Sequence, residues 1–375
     1  MSPPPSSSRY DLDRDQLAEL LAGEPRYRID QLWDGLYRQG RDLGGLSNVP
    51  KALRARLDDE LPTALEPVAE SVSDDGETVK WLWRLPDDRS VETVLMHYAD
   101  RSTVCISTQA GCAMACGFCA TGQAGFERNL SIGEIVEQVI RARQHALPRR
   151  LSNVVLMGMG EPLANLDRVW PAVERIHGDL GLSARHLTIS TVGIIPGIRR
   201  LTEAPLPVNL AVSLHAANDE LRDELVPINR RYPLAALAEA CDAYVEATHR
   251  RLSFEWALID GVNDRRRDAE ELAAYARARR AHVNLIPLNP TPGYPTRGTP
   301  PDRVAAFAAL LSDLGANATV RRNRGTDIDA ACGQLRATHA ADDQRTSTVT
   351  LSEARIARRS TSPVSTVAPG QTTDS

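Results

Sequence analysis

The chain has 375 residues, 42% hydrophobic and 25% charged, with a formal net charge of −5. That balance suits a globular protein with one large domain and a smaller one, and it excludes a globally basic nucleic-acid binder. No run of about 18 apolar residues occurs, so no membrane span is expected, and six cysteines in this length do not make a secreted disulfide framework.

The N-terminus, "MSPPPSSSRY", is polar and lacks the apolar stretch of a signal peptide. A cytoplasmic location is therefore expected, with residues 1–12 disordered. Asp13 with Gln16 three residues on forms a capping box before Leu17, Leu20 and Leu21. Ile29, Leu32, Trp33, Leu36 and Tyr37 share one helical face, which Gly40 ends. A third helix follows Pro50, carrying Leu53, Leu57 and Leu61. Residues 13–65 are thus expected to form a small helical accessory domain. Residues 66–100 change character: "TVKWLWRL" and "SVETVLMHY" are β-rich, and "DDG" at 74–76 marks a turn. This stretch predicts an antiparallel β linker.

From residue 101 strands and helices alternate. The expected strands are 103–108, 153–158, 186–191, 208–214, 252–259 and 282–288, with a weaker seventh at 318–322. The clearest helix spans 131–146, where Ser131 and Glu134 cap a stripe of Ile132, Ile135, Val136, Val139 and Ile140. Six such units predict an α/β fold with a parallel sheet, open or closed as a barrel, over residues 101–335. Ligand-binding residues then belong at the C-terminal ends of strands. Beyond residue 336 the Ser/Thr/Ala/Arg-rich composition predicts a disordered tail to residue 375.

The chemistry centres on "GCAMACGFCATG", where Cys112, Cys116 and Cys119 follow a C-x₃-C-x₂-C spacing. Zinc sites commonly pair two C-x₂-C units and ferredoxin runs supply four cysteines; here no matching pair follows. Three thiolates around a 4Fe–4S cluster leave one iron open to a ligand. A zinc site completed by a distant His, or plain buried thiols, is the alternative. "VVLMGMGEPLAN" runs an apolar strand into Gly160 and Glu161, where the backbone can approach a ligand and a carboxylate can meet an ammonium. It also fits a capped glycine turn. Ser190, Ser213, His215 and Asn289 are polar groups at three further strand ends. His215 suits a hydrogen-bonding role better than a metal-ligating one. Cys241 lies in an apolar helical pattern and is expected in the core, as are Cys105 and Cys332 unless loop context exposes them. The polar segment "RNRGTDIDAACGQL" exposes Cys332.

The cysteine spacing, with Phe118 before the last cysteine, resembles the signature of the radical S-adenosylmethionine superfamily. "QLWDGLYRQG", "VETV", "CISTQAGCAMACGFCATGQAGFERNL", "MGMGEPLAN", "VSLHAAND", "IPLNPTPG" and "GTDIDAACGQL" resemble, in order, the RlmN/Cfr family of RNA methyltransferases over residues 13 to 335. The resemblance implies a partial (β/α)₆ barrel of the radical S-adenosylmethionine type. It implies one 4Fe–4S cluster on Cys112, Cys116 and Cys119. It also implies two S-adenosylmethionine molecules per turnover, with Gly160, Glu161, Ser190, Ser213, Leu214, His215 and Asn289 as the binding residues. By the same resemblance Cys332 carries a methyl group, Glu92 takes the proton from the adenine, and Cys105 resolves a covalent RNA–protein adduct, leaving a Cys105–Cys332 disulfide. The base could equally be Cys105. The implied substrates are an adenosine in the peptidyl-transferase region of 23S rRNA and the adenosine 3′ to the anticodon in certain tRNAs, methylated at C2. The helical domain and the arginines at 149–150 and 321–324 are the candidates for holding the RNA. The protein is expected to be a monomer fed by an electron donor such as flavodoxin, with no membrane partner. Methylation at adenine C8 is the nearest alternative; a non-catalytic metal-stabilised RNA-binding protein is the alternative from another class.

Overall fold

Apolar residues at every second position make the strands, and their parallel pairing makes the fold. A computed structural model describes residues 8–289, 294–295 and 297–321. The strands are β1 (Glu66–Val72), β2 (Thr78–Arg84), β3 (Ser90–His97), β4 (Ser102–Cys105), β5 (Gln109–Gly111), β6 (Phe126–Asn129), β7 (Leu151–Leu156), β8 (Leu187–Thr191), β9 (Asn209–Ser213), β10 (Leu252–Leu258), β11 (His282–Pro287) and β12 (Asn317–Val320). Ten of them form one sheet in the order β1-β2-β3-β4-β7-β8-β9-β10-β11-β12. From β4 to β12 every pairing is parallel, and helices lie between successive strands. This is the partial βα barrel with a seventh parallel strand at its edge.

The two faces of the barrel strands differ sharply. Val104, Val154, Leu187, Ile189, Leu210, Val212, Phe254, Trp256, Val283 and Leu285 are fully buried and pack in the core shared with the helices. Alternation turns their neighbours inward: Thr103, Cys105, Thr188, Ser190, Asn209, Ser213, Ser253, Glu255 and Asn284. A barrel interior lined by hydroxyls, amides and a carboxylate is built to receive a polar ligand rather than to be filled by its own side chains.

The antiparallel strands β1 to β3 do not stand apart as a linker. β3 pairs antiparallel with β4, with Val94 opposite Cys105 and Leu95 opposite Val104, so they extend the barrel sheet. The hairpin of β5 and β6, which frames the cysteine loop, is short and was not among the expected elements.

The expectation of disorder through residue 12 needs correction. Ser8, Arg9, Tyr10 and Leu12 are buried. Arg9 donates to the Leu61 carbonyl at 3.0 Å and to Asp58 at 2.7 Å, and Asp11 accepts from the Gly133 amide at 2.7 Å. Two side chains in "RYDL" are large and apolar, enough to anchor the segment once the helices behind it are in place. Residues 1–7 and the tail from 336 lie outside the described residues.

Helices Arg14–Leu20, Tyr27–Trp33 and Lys51–Glu60 form the expected helical segment, with Tyr27–Trp33 continuing as one π-helical turn over Asp34–Arg38. Leu32, Leu36, Tyr37 and Leu57 point into the same core as the barrel helices. Trp33 Nε1 donates to Asp179 at 2.8 Å, and the Ala64 amide donates to Glu137 at 2.8 Å. Among the described residues no helix is long and apolar enough to cross a membrane.

Candidate active site

The cysteine loop leaves the sheet through β5 and returns through β6 at the C-terminal mouth of the barrel. The Cys112 amide donates to the Gly125 carbonyl at 2.7 Å, and the Cys119 amide to the Cys116 carbonyl at 3.1 Å. Cys119 is the N-cap of the short helix Ala120–Gln123. Gly122 lets that helix close on the loop, since a Cβ there would lie 2.8 Å from the Cys116 carbonyl oxygen. Ala115 holds a left-handed φ of 54°, an uncommon conformation outside glycine.

Cys112, Cys116 and Cys119 border one cavity of about 220 Å³. Among the described residues no three His, Cys, Asp or Glu side chains close on a single metal ion. The thiols instead ring a shared space, as a multi-iron cluster requires. Burial pushes the Cys112 thiol up to about 11 and Cys116 higher still, with neighbouring thiols acting in the same direction. Three thiolates there need a cationic partner. A sulfur-only donor set on one loop fits an iron–sulfur cluster.

Opposite the cysteines stand the ends of the parallel strands. Gly160 has φ 101°, and a Cβ there would lie 2.5 Å from Gln109 Cβ, so only glycine carries the chain past β5. Glu161 follows, buried, accepting from the Leu163 amide at 3.0 Å and the Val192 amide at 2.8 Å. Burial pushes its carboxyl up to about 7, against the hydrogen bonds that favour the ionised form. A buried carboxylate on a cavity wall, held by two amides, calls for a cationic ligand.

His215 also holds a left-handed φ, 59°. Its Nδ1 accepts from the Ala257 amide at 3.0 Å, and its ring meets Phe118 edge-on at 4.9 Å. Burial pushes the imidazole down to about 3, with the Arg222 charge adding to this. The ring is therefore neutral, and because Nδ1 is an acceptor, Nε2 carries the proton. His215 is a hydrogen-bond donor here. Behind it, fully buried Arg222 donates to the carbonyls of Leu214 at 3.0 Å and Val192 at 2.7 Å and to Asn229 Oδ1 at 2.8 Å. That guanidinium staples the ends of β8 and β9, and nothing in its helical context "DELRDEL" marks it for the task.

The three cysteines, Gly160, Glu161, Ser190, Ser213 and His215 all border the same cavity. Leu214 is fully buried with its side chain in the core, and its amide donates to the Glu255 carbonyl at 3.0 Å. Asn289 lies just past β11 and does not border the cavity among the described residues. Thr191, Glu255 and Arg321 do border it; Thr191 and Glu255 were not singled out in the sequence, and Arg321 was expected in an RNA-gripping cluster instead. Glu255 had a usable signal: an acidic residue inside the apolar run "LSFEWALI". Glu92 and Cys105 share the interior face of the sheet, since Val94, two residues from Glu92, pairs with Cys105. Both are buried. Glu92 is not a solvent-facing strand carboxylate: Lys80 Nζ lies 2.9 Å from it. Cys241 is buried in the core. Cys332 lies outside the described residues.

Comparison with known proteins places this geometry in context. The family model of the radical SAM superfamily matches residues 106–276. A relative from Chloroflexus aurantiacus, named a probable dual-specificity RNA methyltransferase RlmN, is 51% identical over 88% of this chain and 93% of its own length. One of the same name from Salinispora tropica is 49% identical over 89% of this chain and 94% of its own. The crystal structure of a radical SAM methyltransferase from Sphaerobacter thermophilus superposes with a TM-score of 0.84 at 50% identity, covering 88% of this chain and 98% of that one.

Proposed function

The chain belongs to the RlmN family of radical S-adenosylmethionine RNA methyltransferases, and from that premise we propose that it methylates C2 of one adenosine in the peptidyl-transferase region of 23S rRNA and of the adenosine 3′ to the anticodon in certain tRNAs. The observation that carries the reading is the convergence of three thiols, Glu161, Ser190, Ser213 and His215 on one cavity at the C-terminal mouth of the barrel.

Cys112, Cys116 and Cys119 hold the 4Fe–4S cluster. When bound, that cluster and its S-adenosylmethionine, fed by a donor such as flavodoxin, supply a hydrogen-abstracting deoxyadenosyl radical. Glu161 pairs with the methionine ammonium, and Gly160 lets the backbone close on it. Ser190, Ser213, Leu214, His215 and Asn289 hold the remainder of the molecule, with His215 Nε2–H as a donor.

Cys332 takes a methyl group from a first S-adenosylmethionine as a thiolate nucleophile. The methyl on Cys332 gives up a hydrogen atom, its carbon bonds to adenine C2, and the unpaired electron left on the adduct returns to the electron-transfer chain that feeds the site. Glu92 accepts the C2 proton. The Cys105 thiolate then attacks the Cys332 sulfur: the sulfur–carbon bond breaks, the freed carbon takes a proton to complete the methyl group on the RNA, and a Cys105–Cys332 disulfide remains. Glu92 and Cys105 on one interior face suit these linked steps. The target adenine must leave its stack to reach them. Residues 13–65 and the arginines at 149–150 and 321–324 grip the RNA by shape and phosphate contacts, and the enzyme works as a cytoplasmic monomer.

Anaerobic reconstitution with iron and sulfide, followed by assay on rRNA and tRNA fragments, tests this. 2-Methyladenosine by mass spectrometry is the expected product. 8-Methyladenosine as the main product would overturn the regiochemistry, and absence of deoxyadenosine would overturn the radical step.

A further inference from the structure

The barrel has a second mouth. Because the barrel strands run parallel, their first residues gather at the end opposite the cysteines. There Thr103, Thr188, Asn209, Ser253 and His282, each first or second in its strand, border a separate cavity of about 530 Å³. Arg185 lies just before β8, and Arg250 and Arg251 directly precede β10. All three border the cavity, joined by Arg321 from the end of β12.

The charge at this mouth is not internally balanced. Among the described residues none of the four arginines forms an ion pair. The bordering carboxylate is Glu255, whose Oε1 is already held by Ser253 at 3.0 Å and Asn284 at 2.9 Å. Burial pushes that carboxyl up, while the Asn284 hydrogen bond and the Arg321 charge act the other way, and one carboxylate faces four arginines. Arg250 spends Nη2 on Asn209 Oδ1 at 2.7 Å, while its Nε is buried without a hydrogen-bond partner. His282 is 8% exposed; its Nε2 is bonded to Asn284 and Thr319, and its Nδ1 is buried without a partner. Leaving such groups unmet costs about 1–3 kcal/mol each.

We infer that the N-terminal mouth of the barrel is a phosphate-ester binding site formed by Arg185, Arg250 and Arg251 with His282 beneath them. Arginine forks match phosphate oxygens in a way that a single carboxylate ligand would not use fully. The hydroxyl and amide groups deeper in suit the sugar attached to such a phosphate. Two sources share this chemistry: a backbone phosphate of the RNA and a free nucleotide. Met157, Glu255 and Arg321 border both mouths, so occupancy of one is in contact with the walls of the other.

The test titrates the reconstituted full-length enzyme with pyrophosphate by calorimetry at fixed ionic strength. The wild type is expected to show one saturable site. Arg185→Gln/Arg251→Gln, at two exposed positions, is expected to weaken it at least tenfold. Arg266→Gln/Arg267→Gln, the same charge change on a distant helix, is expected to leave it unchanged. A parallel anisotropy titration with an RNA hairpin identifies the source. Loss of RNA affinity in the first variant assigns the site to the RNA backbone, and unchanged RNA affinity beside lost pyrophosphate binding assigns it to a free nucleotide. No saturable pyrophosphate binding, or equal weakening in both variants, would overturn the proposal. The pyrophosphate arm stands whatever the RNA substrate proves to be.

Discussion

Lys80 and Glu92, on adjacent antiparallel strands, form an ion pair at 2.9 Å with side chains 0% and 2% exposed. Lysine is rarely buried so completely unless it is paired. Strand alternation places the pair on the interior face that also carries Cys105.

Removing one partner should strand the other charge in the sheet. Lys80→Met is expected to lower stability by about 3–5 kcal/mol, measured by urea denaturation. Lys80→Met/Glu92→Leu should recover a large part of that loss, because no lone charge stays buried. If the double variant is no more stable than the single, the pair is not the source of the cost.

Glu161 should govern binding of the aminoacyl end of S-adenosylmethionine. A carboxylate that meets an ammonium in a buried wall contributes about 1.5–3 kcal/mol, so Glu161→Gln is expected to weaken binding by roughly ten- to a hundredfold. Equilibrium dialysis of the reconstituted enzyme measures it. Iron content should be unchanged, because Glu161 is not a cluster ligand. Parallel loss of iron would mean that the loop, rather than the ligand, depends on it.

The sheet and the upper cavity were readable for a simple reason. Parallel strands buried under helices carry long apolar runs, and loops at their C-terminal ends carry the polar residues, so "VVLMGMGEP" and "VSLHAAND" show both on one line. Lys80, Arg222 and Glu255 were not readable in this way. Each is a charged residue inside an element, and its partner lies on another element: Glu92 across β3, the carbonyls that end β8 and β9, and Asn284 on β11. Residues 8–12 escaped for a related reason. Their Pro/Ser-rich neighbours dominate the local composition, while Tyr10 and Leu12 find their burial against helices far along the chain.

His215 supplies a pH signature. Its imidazole is held down to about 3 in the folded chain, against an ordinary value of 6.5. The folded state therefore binds fewer protons, and the stability associated with the neutral ring is present above pH 6.5 and declines as pH falls below it. His215→Asn keeps a residue tolerant of the left-handed backbone and removes the titration. Between pH 7 and 5 its urea midpoint should fall less steeply than that of the wild type. Identical slopes would show that His215 is not the buried base responsible.

Cys105 and Cys332 should separate radical formation from product release. On the proposed mechanism Cys332→Ala removes the methyl carrier and leaves the three cysteines of the loop in place. It is expected to keep its iron, bind S-adenosylmethionine and form some deoxyadenosine, with no methylated RNA. On the same mechanism Cys105→Ala leaves the carrier but removes the proposed resolving thiolate, so a species joining RNA to protein should accumulate and survive denaturing electrophoresis. Cys105 lies opposite Val94 within a small apolar cluster with Met96, a setting in which alanine costs little packing. A folded Cys105→Ala enzyme that turned over at the wild-type rate would remove Cys105 from the release step and leave the fate of the adduct to another residue.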